Sequence, residues 1–68
     1  MTYLELYNYA SNNPLNKQKT YNMMDSFFNT NKINSETKAH MKEVIDRIIE
    51  LKNKDIEIGM IQKRITLN

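Results

Sequence analysis

A chain of 68 residues carrying 10 Lys and Arg, 8 Asp and Glu, one Gly, one Pro and no Cys is one small domain, residues 1–68, and excludes two. Without Cys there is no disulfide and no Cys-based metal site, so so thin a core calls for very good helix packing or a partner. The net charge of +2 is spread over both halves with no run of like charges, which argues against a basic arm for nucleic acid.

With one Gly and one Pro, punctuation is too sparse for an all-β domain, and the expected class is an all-α bundle. The first helix is expected over about residues 2–12. Thr2-Tyr3-Leu4-Glu5 reads as a capping box, in which the Thr hydroxyl accepts the backbone N–H of the Glu. Tyr3, Leu6, Tyr7 and Ala10 recur at helical spacing on one face. Asn13-Pro14 restarts the chain, with Asn as the cap and Pro at the first helical position, and the second helix is expected over about 14–29. Its apolar face is Tyr21, Met24 and Phe28, flanked by Met23 and Phe27.

Asn29 to Lys32 reads as a loop. Asn34 or Ser35 then caps a third helix over about 35–53, with Glu36 in the first turn where the helix dipole favours it. Met41, Val44, Ile48 and Leu51 follow a 3-4-3 spacing, and Ile45 and Ile49 widen the stripe. Glu43 with Arg47 and Glu50 with Lys54 are acid-before-base pairs one turn apart. Lys52 to Asp55 reads as an interruption, followed by a short fourth helix over about 56–66. A single helix from Ser35 to about Thr66 is the competing reading, because heptad spacing carries from Leu51 through Asp55 and Ile58 to Ile65. The expected core sets Met41, Val44, Ile45, Ile48 and Leu51 against Leu6, Tyr21, Met24 and Phe28, with helices joined by short loops packing antiparallel.

Around Gly59, the run from Asp55 to Ile65 is faintly similar to the turn of a helix-turn-helix. Asp55 stands where that family has a small residue, and the family is not assigned.

The chemistry-bearing residues form no catalytic pattern. His40 has Glu36 and Glu43 within a turn of it on its own helix, the ordinary composition of a solvated face. Gly-rich phosphate loops and Ser-His-Asp orders are absent, so an enzyme is not expected, nor a cofactor or metal. No apolar run is long enough to span a membrane. With no basic-then-apolar leader at the N-terminus, the expected location is the cytoplasm, a host's if the gene belongs to a phage.

Aromatic and apolar residues exceed what three helices need to bury. Tyr3, Tyr7, Tyr9, Met23, Phe27 and Met60 are the candidates for a partner-binding surface, since Tyr offers large contact area at low entropic cost. Asn (ten), Lys (eight) and Ile (eight) dominate the sequence; these residues share AT-rich codons, which points to a low-GC genome and to its phages and plasmids. The leading expectation is a small non-enzymatic protein-binding module of such an element, acting on a partner surface or as a homodimer. The first alternative is a nucleic-acid-binding regulator using Lys17, Lys19, Lys63 and Arg64. The second is a viral structural or assembly component.

Overall fold

Thr2 starts the first helix as its spacing to Glu5 requires: the Glu5 backbone N–H donates to Thr2 Oγ1 at 3.2 Å. A computed structural model describes the backbone of residues 1–67 and the side chains of residues 1–60. It contains three helices and, among the described residues, no strand: α1 (Tyr3–Asn12), α2 (Lys17–Thr30) and α3 (Ser35–Leu67). The all-α class expected from the sparse Gly and Pro is what the chain forms.

Two boundaries differ from those read in the sequence. Helix α2 begins at Lys17 rather than Pro14. Pro14 and Leu15 instead form a turn, closed by the Asn16 N–H donating to the Asn13 carbonyl at 3.0 Å. Pro at the second position of such a turn is already at its favoured φ. The second difference lies in the tail. No interruption falls at Lys52–Asp55, and residues 56–66 belong to α3 rather than to a fourth helix. Gly59 passes through without a positive φ, so the chain makes no helix-turn-helix turn there. Once a helix is nucleated, one Gly costs only about 1 kcal/mol and does not end it.

Asn punctuates all three helices. The Asn13 backbone N–H and its side-chain Nδ2 both donate to the Tyr9 carbonyl, at 2.9 and 3.0 Å. Asn31 repeats the device on the Phe27 carbonyl, at 3.1 and 2.9 Å. Asn34 Oδ1 caps α3 by accepting the Thr37 N–H at 2.7 Å. These side chains satisfy backbone groups that a helix end leaves without partners.

Three tethers fix the orientation of the helices. The Tyr3 hydroxyl donates to the Met41 carbonyl at 3.2 Å, the Tyr21 hydroxyl to Asp46 Oδ1 at 2.7 Å, and Asn53 Nδ2 to the Pro14 carbonyl at 3.3 Å. Going from Tyr3 to Pro14 therefore runs with α3, from Met41 to Asn53. Helix α2 runs against it, with Tyr21 at Asp46 and the Lys38 ammonium 5.8 Å from the centre of the Phe28 ring. The bundle is up-down-up, each helix antiparallel to its neighbour in sequence.

The core is small. Leu6 and Ala10 of α1, Met24 of α2, and Ile45 and Ile49 of α3 form its buried cluster, with Phe27 buried against Tyr3 at a ring separation of 6.2 Å. Thr20 is buried as well, its hydroxyl donating to the Asn16 carbonyl at 3.3 Å. Two core assignments from the sequence change. Leu51 is 51% exposed, because two residues turn a helix by about 200° and carry it away from Ile49. On α2, Phe27 takes the buried place expected of Phe28, which is half-buried beside it.

Helix α3 is longer than the bundle it belongs to. Its 33 residues span about 50 Å, and the molecule extends 54 × 19 × 17 Å. The radius of gyration is 14.9 Å, where a compact chain of this length has about 11 Å. Near Asn53 the bundle gives out on α3: beyond it, among the described residues, the helix meets the ends of α1 and α2 and the turn between them.

Candidate functional site

The seam of α3 that makes the core does not stop where the bundle stops. Ile45 and Ile49 lie under α1 and α2, and Asn53, Ile56 and Met60 follow at spacings of four, three and four on the same face. Beyond Asn53, among the described residues, this face meets the α1–α2 turn and the first residue of α2. There Pro14, Leu15, Lys17, Asn53, Ile56 and Met60 line an open groove of about 490 Å³. Leu15 is 80% exposed and Met60 62%. Asn53 sits at the boundary: its Nδ2 is spent on the turn, while its Oδ1 is buried without a hydrogen-bond donor.

The expected partner-binding residues do not form one surface. Phe27 is 8% exposed and belongs to the core. Tyr3, Tyr7 and Met23 are partly buried and pack against the core cluster. Tyr9 is half-buried, its hydroxyl accepting from Asn16 Nδ2 at 3.3 Å and its ring 5.4 Å from the Lys19 ammonium. Of the six, Met60 alone stands in the groove. It lies 19 residues along α3 from Met41, the anchor of Tyr3, a distance of about 28 Å.

The fold thus absorbs most of the aromatic surplus. Burial raises the Tyr3 hydroxyl above its ordinary pKa, with a smaller contribution from Tyr7. The hydrogen bond to Asp46 does the same for Tyr21, assisted by burial and by the carboxylate charge.

Sequence reasoning missed Leu15 and passed over Ile56. Leu15 is the one apolar residue in the polar stretch from Asn16 to Lys19 and its preceding turn. An isolated apolar residue just after a Pro was the available signal.

Of the four basic residues considered for nucleic acid, Lys17 and Lys19 have described side chains. Lys17 shares a shallow depression with Tyr21, Asp46, Glu50, Lys54 and Glu57, so carboxylates surround it. Lys19 lies two residues on, against Tyr9. Lys63 and Arg64 lie on α3 outside the residues whose side chains are described. Among the described residues, His40, Glu36 and Glu43 are exposed and no group of three His, Asp or Glu side chains converges to hold a metal ion. No described helix is long and apolar enough to cross a membrane. The Glu50–Lys54 pair closes at 3.5 Å on the surface, where such a bridge contributes little.

No protein-family model, curated protein or solved structure matches the chain.

Proposed function

We propose that this chain is a small, non-enzymatic protein-binding module that acts by occupying a partner's surface, as an accessory or regulatory protein of a phage or plasmid would. The observation that supports the reading is the groove between Leu15 and the far half of α3. An apolar seam continues past its own core, flanked by an exposed Leu and Met. Contiguous exposed apolar residues of this kind mark interaction surfaces more often than chance exposure. Recognition of this type buries a few large side chains at the centre and leaves polar residues at the rim. Leu15, Ile56 and Met60 are the centre here, with Lys17 and Glu57 at the edge.

The test is capture from a lysate of the native host on the tethered full chain, with Leu15→Glu and Met60→Glu as comparisons. Both side chains are exposed, so both variants keep the far-UV spectrum of the parent. The expected result is a specific protein retained by the parent and lost by both variants. Equal retention by all three chains, or none by any, overturns the reading.

A further inference from the structure

We infer that Asn53 is the positioning residue of the candidate groove: its amide pins the α1–α2 turn onto α3, so that Leu15 stands at a fixed place beside Ile56 and Met60, and it does so at a cost to the stability of the fold. This rests on the protein-binding reading and adds how that surface is held.

The pin acts on the right peptide. Asn53 Nδ2 donates to the Pro14 carbonyl at 3.3 Å. That carbonyl belongs to the planar unit that ends at the Leu15 Cα, so fixing its oxygen fixes where the Leu15 side chain starts. The turn itself is a stiff piece. Pro14 has one allowed φ, and the Asn16 N–H closes the turn on the Asn13 carbonyl at 3.0 Å.

Nothing else of that kind joins the turn to α3. Asn13 bonds back to the Tyr9 carbonyl, Asn16 Nδ2 to the Tyr9 hydroxyl, and the Asn16 carbonyl accepts from Thr20. These bonds move with the turn. Among the described residues, the Asn53 amide is the one hydrogen bond from residues 13–16 to the long helix. Ile56 faces the same turn across the groove, but apolar contact has no direction and does not select one placement.

The fold alone does not ask for this residue. The seam runs Ile45, Ile49, Asn53, Ile56 and Met60, with Asn its one polar member. Leucine is the better helix former. The Asn53 Oδ1 is buried without a donor, and an unpaired buried acceptor is destabilising. What the amide secures is the placement of Leu15, a side chain 80% exposed that contributes little to the core.

The test separates the turn from the bundle. Pairs of spin labels are placed on the full chain, which has no Cys of its own. Leu15→Cys with Glu43→Cys reports the turn, and Glu5→Cys with Glu57→Cys reports α1 against α3; all four positions are exposed. Glu43 and Asn53 are about 15 Å apart along α3, which suits dipolar distance measurement. With Asn53 present, both pairs give one narrow distance. Asn53→Leu and Asn53→Asp each remove the N–H donor, and in both the narrow Leu15–Glu43 distance is lost while the Glu5–Glu57 distance is kept. Their urea midpoints move apart: Asn53→Leu holds or exceeds the parent, and Asn53→Asp falls below it, because a carboxylate replaces an amide whose oxygen is already buried. The turn therefore follows the donor and not the stability.

A Leu15–Glu43 distance that stays narrow without the donor overturns the inference. So does an Asn53→Leu chain with a lowered midpoint and both distances broadened, since Asn53 then holds the whole bundle. In the capture experiment, Asn53→Leu retains less protein than the parent, and equal retention overturns the positioning role. If the parent captures nothing while Asn53→Leu still loosens the turn, the protein-binding reading falls and the pin stands.

Discussion

Which face of α3 makes the core can be settled by two alanine substitutions six residues apart. The 3-4-3 stripe in the sequence includes Leu51, whereas the fold centres its core on Ile45 and Ile49. Ile45 is fully buried at the junction of all three helices. Replacing it by Ala removes three carbons and leaves a cavity between helices that cannot all collapse onto it, a loss of about 3 kcal/mol. A domain of this size has about 5 kcal/mol in total. Ile45→Ala therefore leaves a barely folded chain: its thermal midpoint falls by about 15 °C or more, and its urea midpoint by about 3 M for a slope near 1 kcal/mol/M. Leu51→Ala removes a side chain that is 51% exposed, and Ala is the better helix former. Its cost stays below about 0.5 kcal/mol. The assay is urea unfolding followed by far-UV dichroism. Equal losses for the two variants, or a larger one for Leu51→Ala, would refute the assignment of the core face.

Other expectations follow from the caps, the tyrosines and the tail. Asn34→Ala removes the 2.7 Å bond that caps α3 and costs about 1 kcal/mol, read from the same unfolding curves; Asn34→Ser restores most of it. Tyr21 has a folded pKa above the ordinary value of 10.0 because its hydroxyl donates to Asp46. Its contribution is whole below pH 10.0 and is lost as pH rises through the folded pKa. Tyr21→Phe is then less stable than the parent at pH 7 by about 1 kcal/mol, and the gap narrows in strong alkali; a gap that widens with pH contradicts this. Gly59→Ala meets nothing within 4 Å and sits in helical backbone, so it raises the far-UV helical signal. The thermal midpoint barely moves, because that turn lies beyond the core. Hydrogen exchange at Ile58 and Met60 is fast, since few contacts hold the backbone there; protection equal to that of Ile45 contradicts this.

The class, the three helices and the capping box at Thr2 were legible because each rests on local signals. Helical periodicity, a hydroxyl three residues before a Glu and the scarcity of Gly need no tertiary context. The start of α2 was not legible, since Asn-Pro serves equally as a helix start and as a turn. The Asn13–Asn16 bond decides it. The core face of α3 was ambiguous for a different reason. Met41, Val44, Ile48 and Leu51 and the pair Ile45 and Ile49 make two overlapping stripes, and periodicity alone cannot say which one α1 and α2 cover. The abundance of Asn has a structural side that codon bias hides: Asn13, Asn31 and Asn34 close helix ends in a chain with a single Gly. The candidate site was the least legible part. Leu15 and Met60 are 45 residues apart in sequence, and nothing local announces that the turn after α1 reaches α3 just where the bundle gives out.

The persistence of α3 beyond the bundle has a simple cause and an unexplained cost. Helix nucleation is the expensive step, and the bundle has already supplied it, so each further Lys, Glu or Ile extends the helix at little cost. The Glu50–Lys54 pair at 3.5 Å adds a small push across the boundary. Propagation alone, however, is served as well by polar helix formers as by apolar ones. A polar extension would dissolve more readily, yet Ile58 and Met60 stand more than half exposed and the buried Asn53 Oδ1 keeps an unused acceptor. Each of these features is unfavourable for the isolated chain. An apolar surface laid on the exposed side chains offsets the first of these, whereas the second lies inside the fold, out of reach of a partner. Asn53→Leu tests what the unused acceptor costs the fold. In the isolated chain it exchanges a buried, unpaired acceptor for an apolar side chain and leaves stability equal or slightly raised at low concentration. A strong loss of stability would mean that the 3.3 Å bond from Asn53 to Pro14 outweighs the cost of the unpaired acceptor.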